Sequence, residues 1–445
     1  MPTCIWEEWM AETTTVQKTE GRPDYSSYRP MEECDVAQRL ATYPEVVEVL
    51  GGRPTEWAVR EVGDGNLNFV YIVKGPNGSL CAKQALPFVR LVGESWPLPL
   101  DRSHFEHGAL VRQAQRSGHV PKIVTYDPGQ ALIVMENLGR HKIWRNALIA
   151  GERHESAADV LANFMAETLF RSSDLSLDAA SRKVEMVHFA ANTALCKITE
   201  DLVFTDPYRA HELNRWTSPE LDDTVAAIRA DAEWKHAVQE MKALFLTRTE
   251  ALLHGDLHTG SVMVSRTETG SEDVRIIDPE FAYYGPMGFD VGALMANLLL
   301  AFYAQDGLAD DRSGMKDWLL AQVERVWSGF AERFTELWRT ERTGDSYHRS
   351  LFEDVGDEEA SAAACNTYLA RLQVEAIGFA GAKMARRILG LAHVADLETI
   401  EPAERRAKQE KRALALARML LVERHAIGNF AEACERARQV DGEER

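Results

Sequence analysis

Apolar positions change their period along this 445-residue chain. Residues 1–27 are polar and aperiodic and read as a loose tail. "VAQRLATYPEVVEVLGG" repeats at helical spacing and stops at Gly51-Gly52. From Trp57 the pattern turns to short β-rich runs, "WAVREVGDGNLNFVYIVKGPNGSLCAKQALP", broken first by Gly-Asp-Gly and then by Pro76-Asn77-Gly78, a hairpin signal. "DRSHFEHGALVRQAQRSG" predicts a helix ending at Gly118, and "QALIVMENL" a buried strand. Residues 57–138 therefore predict a small antiparallel sheet carrying one helix. Beyond Leu138 the periodicity is helical, except for a β interruption over residues 262–278. The mixed charges of "EPAERRAKQEKRALALARMLL" read as a solvated helix face.

Composition narrows the class. The chain is 45% hydrophobic, enough for a large core, and carries 69 acidic against 50 basic residues, a net charge of −19. Such a surface repels phosphate backbones and argues against a nucleic-acid partner. The six cysteines (Cys4, Cys34, Cys81, Cys196, Cys365, Cys434) are scattered and read as reduced thiols. No basic n-region precedes an apolar stretch, and no apolar run reaches the ~20 residues of a membrane span. The expectation is a soluble cytoplasmic protein with no membrane partner.

Four features then line up in order: a Gly-containing turn between two strands in "VGDGNLNFVYIV"; Lys83 on the next strand; Asp256 in "HGDLHTGSVMV"; and Asp278 and Glu280 in "IIDPE" after an apolar strand. Phosphoryl transfer from ATP needs such a set: a backbone turn over the phosphates, a Lys to neutralise them, an Asp to orient the attacking hydroxyl, and carboxylates for Mg²⁺. Each piece alone has an ordinary reading as turn, solvated Lys or helix cap; the ordered combination predicts an α+β, bilobal protein-kinase-like fold, with a small antiparallel-sheet N-lobe and a larger, mainly helical C-lobe. The expected divisions are a tail (1–27), an N-lobe (28–138) with its hinge at 135–138, and a C-lobe (139–438). Glu106 is the natural ion-pair partner for Lys83. Met135, Glu136, Asn137 and Leu138 would offer backbone groups to adenine. Asp290 reads as starting or anchoring the following helix, and His254 as holding the loop by a hydrogen bond to the backbone.

The strings "GDGNLNFV", "KQALPFVR", "SWPLPLDR", "LVFTDPY", "HGDLHTGS", "DPEFAYYGPMGFDVG" and "FAGAKMARRILGLAHVADL" resemble the S-methyl-5-thioribose kinase family, within the aminoglycoside- and choline-kinase-like phosphotransferases. The wider family carries Asn where this chain has Ser261, and Asp where it has Glu280; the second carboxylate can restore the charge on Mg²⁺. The resemblance implies Asp256 as base or hydroxyl-orienting group and Asp278 and Glu280 as Mg²⁺ holders. Asn66, Lys83, Asp278, Pro279 and Glu280 would contact ATP, and Arg386 and Arg387 the substrate. It also implies a homodimer, and transfer to the 1-hydroxyl of 5-methylthioribose in methionine salvage. Read from the residues alone, the arginine pair fits either a buried ion pair or a waiting guanidinium fork. Gly260 would let backbone approach the transferred phosphate. Tyr283, Tyr284, Phe289 and Trp144 are candidates for the methylthio slot. The rival readings are a kinase for another small acceptor and a non-catalytic nucleotide-binding scaffold.

Overall fold

The computed structural model describes residues 22–442 apart from 63–66, 90–92, 309–311 and 313. Five antiparallel strands form the N-terminal sheet: β1 (Ala58–Glu61), β2 (Asn68–Lys74), β3 (Ser79–Ala85), β4 (Ile123–Asp127) and β5 (Leu132–Glu136), in spatial order β1-β2-β3-β5-β4. The β2–β3 hairpin turns over Pro76-Asn77-Gly78, closed by Gly75 N–H donating to Gly78 C=O at 2.9 Å.

Strand parity decides what each face carries. Leu80 and Ala82 of β3 and Leu132 and Val134 of β5 face an apolar cluster built with α1 (Val36–Leu40) and α2 (Pro44–Leu50). Residues one step out of phase face the other way. Ile133 and Met135 join the main core with Leu110 of α3 (Arg102–Arg116), and Lys83 turns toward α3 and meets Glu106.

The single helix read over residues 36–50 is two. Pro44 opens the second at its first turn and holds Tyr43 extended (φ −99°, ψ 110°), which breaks the helical run.

The rest of the chain is mainly helical. Its centre is α5 (Gly288–Ala304), buried on every side, its sequence apolar all round except for Asp290 and Asn297, which are buried and hydrogen-bonded. It packs on α7 (Glu358–Leu389) at close range: a Cβ on Gly292 would sit 2.4 Å from the Ala376 carbonyl oxygen. Around this pair lie α4 (Ala157–Phe170), α6 (Met315–Thr340) and α8 (Ala403–Val422). The β interruption is a hairpin of β7 (Val262–Arg266) and β8 (Glu272–Ile276), joined on its other edge by β6 (Lys142–Ile143). The solvated reading of α8 holds for Glu404, Arg405, Lys408 and Lys411, which are exposed, and is corrected for the opposite face. Gln409, Glu410 and Arg412 are buried, and Arg412 donates to Asp441 and Gln409, because α8 is covered by α7 and by the helix Phe430–Gly442. The described cysteines Cys34, Cys81, Cys196, Cys365 and Cys434 are all free. No described helix is long and apolar enough to cross a membrane.

Candidate active site

The loop over residues 254–261 runs from a short strand (Ala251–Leu252) into β7. Asp290, in the first turn of α5, accepts from the backbone N–H groups of His254 (2.7 Å) and Gly255 (3.0 Å). It therefore anchors the loop and leaves its own helix's first N–H groups aside, which corrects its reading as a helix anchor. His254 donates from Nε2 to the Ile277 carbonyl (3.0 Å) and accepts the Asp256 N–H at Nδ1 (3.3 Å), so the imidazole clips the loop to the end of β8. Gly255 adopts φ +85°, and a Cβ there would meet the Phe281 carbonyl oxygen at 2.1 Å. At Gly260 a Cβ would meet Arg145 Nη1 (2.6 Å) and His258 Cε1 (2.7 Å), so close side-chain packing is what excludes a larger residue.

Asp256 is clamped on both oxygens. Lys383 Nζ lies 2.8 Å from Oδ1; His258 Nε2 (3.3 Å) and Arg387 Nη2 (3.6 Å) approach Oδ2. Burial would raise the Asp256 carboxyl, but Lys383, His258 and Arg387 together hold it well below the usual carboxylate range. His258 is neutral. Burial pushes it down to about 3, and its Nδ1 accepts from the N–H groups of Gly260 (2.9 Å) and Ser261 (3.1 Å). The Ser261 hydroxyl turns back on the loop, donating to the Asp256 carbonyl at 3.0 Å.

Arg386 and Arg387 are both buried on α7, each 7% exposed. The Arg386 Nε and Nη1 groups are buried without a hydrogen-bond partner. Arg387 reaches toward Asp256 and donates weakly to the Ala392 carbonyl (3.4 Å). A further positive residue, Arg145, supports the loop from the other side, with Nε 3.0 Å from Asp396 Oδ2 and Nη2 donating to Asn297.

The other end of the site is anionic. Carboxylate oxygens of Glu106, Asp278 and Glu280 all lie within 4.8 Å of one another. Lys83 bridges the first two: its Nζ is 2.6 Å from Glu106 Oε1 and bonds Asp278 Oδ1 at close range. Glu280 accepts from Asn68 Nδ2 (3.2 Å) and pairs with Arg102 Nε (3.4 Å). Burial and the neighbouring carboxylates push Glu106 and Glu280 up, whereas Lys83 outweighs burial at Asp278 and holds it down. Asp278 sits at φ +70°, a left-handed conformation uncommon outside glycine, and one that the surrounding structure has to enforce. Among the described residues, the cations paired with these three carboxylates are Lys83 and Arg102. This hard, all-oxygen, net negative donor set fits a divalent cation such as Mg²⁺.

The structure thus brings Lys83, Glu106, Asp278 and Glu280 together, and separately Asp256, Arg386 and Arg387. Pro279 lies between the two carboxylates. Asn66 falls outside the described residues. Met135 and Leu138 are buried and Glu136 and Asn137 half-buried at the end of β5. The Glu136 N–H donates to Lys122 C=O and the Leu138 carbonyl accepts from His141, so part of the hinge backbone is already engaged. Tyr283, Tyr284, Phe289 and Trp144 are all core residues.

Sequence reasoning missed Asn68, Arg102, Arg145 and Lys383. Two of them had a signal. Lys383 precedes Arg386 and Arg387 by three and four residues, and Arg102 precedes Glu106 by four, spacings that share a helix face.

Fold and site together define a phosphotransferase with a kinase-like architecture, and the profile of the phosphotransferase enzyme family matches residues 58–324. That class uses a nucleotide as donor. Two relatives are similar over nearly the whole length. Methylthioribose kinase 2 of Oryza sativa subsp. japonica is 40% identical, covering 97% of this chain and 100% of that protein. Methylthioribose kinase of an Escherichia coli strain is 42% identical, covering 93% and 98%. This chain belongs to the methylthioribose kinase family. A solved Plasmodium vivax ethanolamine kinase is similar over 90% of the chain at 11% identity and a TM-score of 0.45, a likeness too loose to bear on the acceptor.

Proposed function

We propose that this protein transfers the γ-phosphoryl group of ATP to the 1-hydroxyl of 5-methylthioribose, giving 5-methylthioribose 1-phosphate and ADP in methionine salvage. The observation that carries the reading is the site's division of charge: a carboxylate cluster around Lys83 beside a loop whose single carboxylate, Asp256, faces Lys383, Arg386 and Arg387. Asp278 and Glu280 would hold Mg²⁺, which when bound neutralises the nucleotide phosphates. Lys83, fixed by Glu106, supplies a further positive charge there, and Asn66 and Pro279 complete the nucleotide contacts. Backbone groups over 135–138 would meet the adenine.

The bond that forms joins O1 of the sugar to Pγ; the bond that breaks joins Pγ to the β–γ bridging oxygen, and ADP leaves. Asp256 is a weak base, held well below the usual range, so its role is to orient the hydroxyl and to take the proton late, as a loose transition state requires. An anomeric hydroxyl is more acidic than an ordinary alcohol and suits a weak base. Arg386 and Arg387 hold sugar oxygens and the moving phosphoryl oxygens through their donor forks. A cationic acceptor such as choline or an aminoglycoside would meet these same cations, which disfavours that rival.

The proposed divisions are a sheet lobe (28–138) and a helical lobe (139–438), hinged at 135–138. The proposed assembly is a cytoplasmic homodimer; exposed Leu351 and Val355 supply apolar surface for it, and sedimentation tests it. The deciding assay compares ATP- and Mg²⁺-dependent phosphorylation of 5-methylthioribose, ribose, 5-deoxyribose, choline and an aminoglycoside. A strong preference for methylthioribose with a 1-phosphate product, abolished by chelation, is expected. Turnover confined to another acceptor would overturn the substrate.

A further inference from the structure

Asp256 is one carboxylate facing more cations than it can neutralise. A structural ion pair needs one positive partner, and surplus buried charge is costly. The neighbouring carboxylates do not balance it: Asp290 is occupied by the N–H groups of His254 and Gly255, and Asp396 by Arg145. Among these cations Lys383 is the most deeply held, 3% exposed, with its ammonium 2.8 Å from Asp256 Oδ1 and 4.6 Å from the centre of the Phe289 ring.

We propose that Lys383 is a positioning residue for phosphoryl transfer: its ammonium fixes Oδ1 of Asp256 at 2.8 Å, so that Oδ2, which His258 and Arg387 approach at only 3.3 and 3.6 Å, is presented to the acceptor hydroxyl, and it supplies a surplus positive charge that the arriving phosphoryl group balances. The inference rests on the reaction proposed above. As Asp256 takes up the acceptor proton it loses its charge, and the Lys383 ammonium is released from its carboxylate partner just as the product phosphate gains a dianionic form. Charge in the pocket is thereby balanced at both ends of the step.

The groups facing Lys383 give it a distinct pH signature. The loop contributes Asp256, charged throughout, and His258, neutral throughout. α5 contributes Phe289 and the loop-bound Asp290; α7 contributes Arg386 and Arg387, which stay charged. Burial, reinforced by the two arginines and opposed by Asp256, pulls Lys383 down to about 8. It is charged at neutral pH and discharges as the solution becomes alkaline.

The test is a pH–rate profile of three proteins under saturating substrates. The wild-type kcat is expected to fall above about pH 8. Lys383→Arg keeps the charge, so its alkaline fall is expected at least one pH unit higher. Lys383→Met is expected to lose about 100-fold in kcat at neutral pH with nucleotide affinity unchanged. A folded K383M protein with kcat within threefold of wild type, or a K383R protein with the wild-type alkaline limb, overturns the inference. Should K383M fail to fold, the K383R profile decides. A wild-type protein inert toward methylthioribose would overturn the acceptor alone. In that case the Lys383 ammonium is followed by NMR in wild-type protein, and a midpoint near the ordinary 10.5 overturns this inference independently of activity.

Discussion

Replacing Asp256 with Asn removes one charge from the most crowded point of the site. The amide keeps an oxygen near Lys383 and Arg387 but leaves Lys383, Arg386 and Arg387 without a counter-charge. Two effects follow, with different sizes. Loss of the orienting and proton-accepting group is expected to lower kcat by about 10²–10⁴, or ~3–5 kcal/mol of transition-state stabilisation. Leaving a buried cation unpaired costs ~3–5 kcal/mol of stability where it must stay charged. Lys383 offers an escape. Its ammonium is already down to about 8 with Asp256 holding it up, and falls further once that carboxylate is gone. Below the folded value the variant buries a charged, unpaired Lys383; above it the folded protein sheds the proton while the unfolded chain keeps it. The stability deficit against wild type therefore shrinks as pH rises toward about 8, at ~1.4 kcal/mol per pH unit. Nucleotide affinity is expected to hold within about threefold, because the Lys83 cluster keeps its own ion pairs. Steady-state kinetics, calorimetric titration with nucleotide, and urea unfolding at about pH 6 and pH 8 measure all three. A folded Asp256→Asn protein within tenfold of wild-type kcat would refute the role given to Asp256, and a deficit that grows with pH would refute the charge argument.

Gly255→Ala is expected to cost ~3 kcal/mol or more and most of the activity, since its Cβ would strike the Phe281 carbonyl in a backbone already at φ +85°; thermal melting and kcat check this. Arg102→Met strips donors from the carbonyls of Leu86 (2.6 Å) and Pro99 (3.2 Å) and leaves Glu280 with one partner fewer. A loss of ~3–5 kcal/mol in urea unfolding is expected, and a loss below ~1 would contradict it. Glu272 accepts from Ser156 N–H (2.8 Å) and pairs with Arg266; burial opposes its ionisation, yet these partners hold it down to about 2. Because its folded value is depressed, its stabilisation is complete above the ordinary 4.5 and fades as pH falls toward 2. Glu272→Gln should therefore cost ~2 kcal/mol near pH 7 and clearly less near pH 3, read by urea unfolding at both.

Much of this protein is written in local patterns. Strand parity along "LCAKQAL" and "ALIVMENL" sets which side chains share a face, so the pairing of Lys83 with Glu106 was legible from alternation plus a helix on that face. Gly-Pro-Asn-Gly set the hairpin, and the mostly apolar run of α5 is consistent with a helix buried all round. Pro44 was equally visible and its effect misjudged, because helical periodicity continues across a break that costs only one N–H and one extended residue. The mixed charges of α8 announced the solvated Glu404, Arg405, Lys408 and Lys411 but not the buried Glu410 and Arg412. Exposure depends on what packs against a helix, and a hydrophilic pattern carries no information about the helix Phe430–Gly442 that covers it. The type and order of the chemical groups, and the family they belong to, were thus present in the chain alone. What only the tertiary structure decided was which cations gather on Asp256 and which groups hold its loop: Lys383 from residues far along the chain, Arg145 from the far side, Asp290 through two backbone donors. Side-chain spacing reports neighbours within one element. Electrostatics acts through space, between elements whose approach is set by packing such as that of Gly292 against Ala376, and no local pattern encodes that distance.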